Sequence, residues 1–195
     1  MSLTYRTLRG PDVTTALDDL AQLRITVFRD WPYLYDGSLA YERSYLASYV
    51  DNPRAVLVAA FDGDRLVGAS TGSPLLDHAD DFAKAFSTSE LSFDQVFYCA
   101  ESVLLDGYRG QGAGHRFFDA RESHARDLGY ATSAFCSVIR PDNHPLRPKG
   151  TRSHDTFWRG RGYAPLPGVV AEFNWKDVDQ APSTQKRLQF WGKAL

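Results

Sequence analysis

The chain has 195 residues, 43% hydrophobic and 24% charged, with a formal charge of −2. These values suit one domain with decorations and exclude a disordered chain, and the mild negative charge removes nucleic acid as the default partner. No 20-residue apolar run is present, so no membrane span is expected, and Met1 to Asp12 lacks the pattern of a secretory signal. Thr4 to Leu8 alternates like an edge strand. Gly10-Pro11-Asp12 punctuates. Leu17, Leu20, Leu23 or Arg24, and Val27 then recur at helical spacing, which predicts a helix over 13–28. Pro32 and Gly37 bracket an aromatic turn holding Trp31, Tyr33 and Tyr35, and a second helix follows over 39–50.

The clearest hairpin joins Ala55–Phe61 to Leu66–Thr71 through Asp62-Gly63-Asp64. Residues 74–95 carry five acids against Lys84 and read as a surface insertion with a short helix. Val96 to Leu105 is an apolar strand interrupted by one charge, Glu101. A glycine-rich turn leads into a helix over 112–128, ended by Gly129. Thr132 to Ile139 is a buried strand, 140–152 is proline-rich and basic, and 153–161 is a short helix. Val169–Trp175 is a strand, Leu188–Trp191 is read as a last one, and the residues beyond about 176 are expected to form a tail. Cys99 and Cys136 both lie in apolar runs, which suits buried thiols in a reducing cytoplasm. The order predicts an α/β chain: a single domain over 1–195 with a mixed sheet, one parallel βαβ unit over 96–139, hairpins on either side, and helices on both faces.

The turn Tyr108-Arg109-Gly110-Gln111-Gly112-Ala113-Gly114-His115 lies between strand and helix. Alternating glycines let a backbone approach a bulky anion, and the first amides of a helix point outward without internal partners. Together they form a seat for a pyrophosphate. The phosphate loop of nucleotide hydrolases ends in Gly-Lys-Ser or Gly-Lys-Thr, where this chain has Gly114-His115. The dinucleotide fingerprint needs glycines at 1, 3 and 6 and an acid on the next strand, and here the glycines fall at 110, 112 and 114 with no acid in 132–139.

The remaining pattern, Arg109-x-x-Gly112-x-Gly114 behind Val103-Leu104-Leu105-Asp106-Gly107-Tyr108, closely resembles the acetyl-CoA signature of the GNAT superfamily of N-acetyltransferases. Thr156-Phe157-Trp158-Arg159-Gly160-Arg161-Gly162-Tyr163 is similar to that family's late helix. The resemblance implies a GNAT-like, mostly antiparallel sheet of six or seven strands with about four helices. It also implies acetyl-CoA as co-substrate and a primary amine of a small molecule or peptide as acceptor, attacked directly in a ternary complex. Backbone groups of Ser102, Val103 and Leu104 would pair with the pantetheine arm like an added strand. Arg109, Gly110, Gln111, Gly112, Ala113, Gly114 and His115 would wrap the pyrophosphate, and Asn143 would match a pantetheine-contacting asparagine. The family's usual general acid, a tyrosine, is replaced by Trp158, which leaves that role to Tyr98, Tyr163 or water.

Removing a proton from an ammonium of pKa about 10.4 calls for a base. Glu101 is the candidate on sequence grounds, with a structural carboxylate as the alternative reading. Strand parity puts Glu101 and Tyr98 on different faces, and the resemblance implies a base on the face of Tyr98 or Ala100, so Glu101 reaches an acceptor only if the strand bulges or splays, and Tyr98 is the second candidate. Trp31, Tyr33 and Tyr35 are either acceptor-groove walls or a loop anchor. The acidic 74–95 insertion would complement a cationic amine. Arg140, Arg147, Lys149, Arg152, Arg159 and Arg161 either meet CoA phosphate or an acidic acceptor, or form a solvated surface. His144 lies in the same loop. His115 and His124 lack a second ligand at metal-binding spacing, so no metal is expected. A homodimer is left open. A CoA-binding sensor or partner-binding module without catalysis, and a module for longer acyl groups, are the competing functions.

Overall fold

The computed structural model describes residues 3–195. Its elements are β1 (Thr4–Leu8), α1 (Pro11–Thr15), α2 (Leu17–Phe28), α3 (Leu39–Ala47), β2 (Val56–Asp62), β3 (Arg65–Pro74), α4 (Ala79–Phe86), β4 (Val96–Leu104), α5 (Ala113–Asp127), β5 (Thr132–Val138), α6 (Asp155–Gly160), β6 (Ala164–Lys176) and β7 (Ser183–Ala194). One seven-stranded sheet runs in the order β1-β2-β3-β4-β5-β7-β6. Among the described residues only β4 and β5 are parallel, as expected for strands joined through a helix. The expected hairpin forms with Asp62 paired to Arg65 and Gly63 at φ +59°.

Three differences from the sequence expectation have local causes. The predicted first helix is two, α1 and α2, separated at Ala16. Segment 74–95 carries acids, but α4 also spaces Phe82, Ala85 and Phe86 to one face, where they are buried. Phe82 meets Tyr98 and Phe190 with ring centroids 4.9 and 5.0 Å apart, so the insertion covers the β5-β7-β6 half of the sheet. The chain beyond 176 enters the sheet as β7, between β5 and β6. Its alternation was masked because Lys186 occupies an inward position beside Leu188 and Phe190, with its ammonium satisfied by the carbonyls of Trp175 and Thr184.

Two irregularities prepare the site. β4 and β5 pair only over Val96–Tyr98 and Thr132–Ala134, then diverge, leaving β4 from Cys99 onward paired on the β3 side alone. β4 also bulges: Thr71 faces Glu101 while Ser73 faces Tyr98, one residue too many on β4. Gly72 permits the close approach there, since a Cβ would lie 2.6 Å from the Phe97 ring. Beyond the bulge, side chains change faces. Phe97, Cys99 and Leu104 pack on the α5 side, and Ser102 bonds Arg121 of α5. Tyr98 and Val103 pack on the other side, and Glu101 joins them there. The condition that parity placed on Glu101 is therefore met by a bulge.

Candidate functional site

A cleft of about 610 Å³ runs through the sheet where β4 and β5 part. On the α5 side it is lined by Arg109, Gly110, Gly112, Ala113, Gly114 and His115, and by Phe117, Phe118, Phe135, Phe157 and Trp158. Gly110 and Gly112 adopt φ +75° and +85°, and Gly112 caps α5 in the left-handed region. Among the described residues no backbone carbonyl accepts from the amides of Gly112, Ala113 or Gly114, so these donors face the cleft region uncommitted. A Cβ on Gly114 would stand 3.1 Å from Phe157, so this glycine keeps the turn against α6. His115 is oriented by Arg161, whose Nη1 donates to its Nδ1 at 3.1 Å. Arg161 is fixed in turn by Asp119 and Glu122.

The other half of the cleft is lined by Val27, Phe28, Trp31, Pro32, Tyr33, Glu101, Ser137 and Val138. Glu101 is buried there and ion-paired with Arg24, and it accepts from Tyr45 Oη at 2.9 Å. Arg24 also pairs with the fully buried Glu42. Burial acts to discharge Arg24, but Glu101, Tyr45 and Glu42 outweigh it and hold the guanidinium above its ordinary value. The cluster thus contains two carboxylates and one cation. The sequence signal for it was a charge on the inward face of each helix: Arg24 among the leucines of α2, and Glu42 four residues before Leu46 on α3.

The loop at 31–35 is riveted in place. Buried Arg140 donates to the carbonyls of Pro32 and Tyr33 at 2.8 and 2.6 Å and to both oxygens of Asp177 at 2.7 and 2.9 Å. Trp175 Nε1 donates to the Tyr33 carbonyl at 3.1 Å, and the Tyr33 ring lies 4.6 Å from Phe28 between centroids. Burial raises the Tyr33 phenol above its ordinary value, so it stays protonated at neutral pH. Arg121, fully buried on α5, donates to the carbonyls of Thr71 and Glu101 and to Ser102 Oγ, pinning the bulge.

Several sequence-predicted residues lie elsewhere. Tyr98 is a core residue whose hydroxyl contacts Cys136 Sγ at 3.3 Å, and it does not line the cleft. Tyr163 is likewise buried, with its hydroxyl on Ser133 and Glu122. Tyr35 does not line the cleft either, and its ring packs on Gly37. Asn143 is exposed outside the cleft, because the proline-rich loop carries it away. Gln111 points its amide at the Gly107 carbonyl at 3.4 Å. Val103 is buried, so only its backbone is available. None of the basic residues of 140–161 lines the cleft: Arg140, Arg147 and Arg161 pair internally, and Arg159 lies over Trp191. The acids of 74–95 do not line it. The His144 ring lies tilted against Trp31, centroids 5.3 Å apart. His154, which the sequence reading passed over, does line the cleft, and desolvation there, with the nearby charge of Arg109, lowers its pKa from the ordinary value. Among the described residues no group of three or more His, Cys, Asp or Glu is placed to hold a metal ion, and no helix is long and apolar enough to cross a membrane.

The family model described as the acetyltransferase (GNAT) family matches residues 19–148, more than half of the chain. The chain belongs to the GNAT acetyltransferase family. Solved structures agree on the fold. A ribosomal-protein-alanine N-acetyltransferase from Brucella melitensis superposes with TM-score 0.62 at 12% identity, covering 100% of both chains. An acetyltransferase of Acinetobacter baylyi ADP1 gives 0.64 at 10% identity, covering 100% of this chain and 93% of the other. An N-acetyltransferase from Thermoplasma acidophilum in complex with coenzyme A gives 0.50 at 12% identity, covering 100% of both. Comparison with curated protein sequences gave no significant match. For this GNAT chain the mixed, mostly antiparallel sheet is the family fold. Among the described residues its α-helices number six because the first predicted helix is divided and α4 lies in the insertion.

Proposed function

We propose that this GNAT protein transfers an acetyl group from acetyl-CoA to a primary amine, with both substrates bound together. The observation that carries this reading is the parting of β4 from β5 beside the glycine turn. An unpaired strand edge and a set of free helix-N-terminal amides open into the same cleft. The donor set suits CoA: amides of Gly112 to Gly114 and Arg109 for the pyrophosphate, and backbone groups of Ser102 to Leu104 for the amide-bearing arm. Bound there, acetyl-CoA would supply the acetyl group as an activated thioester.

The residues of the chain do the rest. A β4 backbone amide donates to the thioester oxygen as charge develops on it. The carboxylate pair around Arg24 retains one net negative charge, which holds the incoming ammonium. Glu101 takes one proton from it, directly or through water. A C–N bond then replaces the C–S bond, the second nitrogen proton ends on the CoA thiol, and Glu101 releases its own proton to solvent.

CoA at a hundredfold excess over its Kd is expected to add about 2.7 kcal/mol of stability, a melting shift of roughly 5–11 °C for a chain of this size. Gly112→Leu is expected to abolish the shift, since the new side chain would project into the seat from a left-handed backbone. No shift for wild type in millimolar CoA would remove the basis of the reading. Thiol release on adding an amine separates catalysis from CoA sensing.

A further inference from the structure

The acceptor half of the cleft is surrounded by cations that are already committed. Arg24 stands between Glu42 and Glu101. Arg140 spends its donors on Asp177 and on two loop carbonyls. Arg121 spends its donors on the carbonyls of Phe117, Thr71 and Glu101 and on Ser102 Oγ. A substrate carboxylate or phosphate is recognised by free, parallel N–H donors, and these three guanidiniums offer no such fork. Among the described residues lining the cleft, Glu101 is the one carboxylate. The wall beside it is mostly apolar: Val27, Phe28, Trp31, Tyr33 and Val138, with the one hydroxyl of Ser137 already accepting from Trp191 Nε1.

This inventory discriminates between classes of amine. An amino acid would bring its carboxylate beside Glu101 with no free cation to answer it, and like charges so placed disfavour binding. A polyamine would place a second ammonium against an apolar wall with no second acid to pair it. A single ammonium on an aromatic or compact apolar body satisfies both halves. The body covers the aromatic wall, and the nitrogen meets the one carboxylate.

We infer that the acceptor is a monoamine with an aromatic or compact apolar body and no carboxylate or phosphate, its ammonium at Glu101 and its body against Phe28, Trp31 and Tyr33. The inference rests on the acetyltransferase reading above.

Matched pairs test it. Release of CoA thiol is measured with phenethylamine against phenylalanine, tryptamine against tryptophan, and spermidine, on wild type and on Tyr33→Ala. The decarboxylated member of each pair is expected to be favoured about 100-fold or more in kcat/KM. Spermidine is expected to be poorer than phenethylamine. Tyr33→Ala is expected to raise the phenethylamine KM about tenfold with the acetyl-CoA KM unchanged. Equal or better turnover of the amino acids or of spermidine overturns the acceptor class and leaves acetyl transfer standing. If no amine releases thiol while CoA still raises the melting temperature, amine transfer itself falls, and this inference with it.

Discussion

Glu101→Gln is expected to lower kcat by about 10²–10⁴-fold while the acetyl-CoA affinity stays constant. Glutamine keeps the shape and can still accept from Tyr45, so the bulge and the cleft wall persist. What it loses is the ability to take a proton. It also removes one of the two negative charges around Arg24, leaving Arg24 and Glu42 as a neutral pair and the cleft without its ammonium anchor. The acceptor KM should therefore rise together with the loss in kcat. Steady-state kinetics read these two effects, and acetyl-CoA binding is measured separately by melting shift. A variant that turns over normally and only unfolds earlier would make Glu101 a structural partner of Arg24.

Asp177→Asn is expected to cost about 3–5 kcal/mol of stability, because it leaves the Arg140 guanidinium buried without its carboxylate. Arg140 also holds the carbonyls of Pro32 and Tyr33, so the loss should appear a second time as a higher acceptor KM with CoA binding preserved. Urea unfolding reads the first effect and kinetics the second. Burial opposes the charge on Asp177, but Arg140 and Lys186 outweigh it and hold the carboxyl below its usual value of 3.8. A depressed folded pKa means this stabilisation is complete above about pH 4 and is lost as pH falls through the lower folded value. Wild type should thus lose stability more steeply in acid than the asparagine variant. Equal acid sensitivity in the two proteins would show that Arg140 does not depend on this partner.

Much of this was legible in the residues because the signals were local. Gly110, Gly112 and Gly114 between an apolar run and a helix mark an anion seat through backbone chemistry alone, and Asp62-Gly63-Asp64 marks its hairpin the same way. The bulge was legible only as a condition on Glu101, since the Gly72 that makes room beside Phe97 lies on the neighbouring strand, about thirty residues away. Arg140 shows the opposite case. In sequence it joins a basic run that suggests phosphate, whereas its partner Asp177 lies on the far side of α6 and β6, and no local pattern pairs them. Tyr98 and Tyr35 were drawn toward the site by their chemistry, but burial among phenylalanines and packing on Gly37 decided their places instead. Lys186 hid a strand because its ammonium finds carbonyls that alternation cannot display.

The short pairing of β4 with β5 has a mechanical consequence. On the α5 side one continuous core, with Val56, Phe97, Phe117, Phe135 and Trp191, spans both halves of the sheet. On the other side the core is divided, with Leu20, Leu46 and Val103 in one block and Phe82, Tyr98 and Phe190 in another. Such a body is stiff along one line and compliant across it, like a book bound at the α5 side with its pages free. Small rotations about that spine would widen or narrow the gap between Glu101 and the loop held by Arg140 without breaking either block. Admission of an acceptor and escape of a bulky product would then share one motion, and substitutions at Phe117 or Phe135, which both line the cleft and belong to the spine, would alter its shape and its stiffness together.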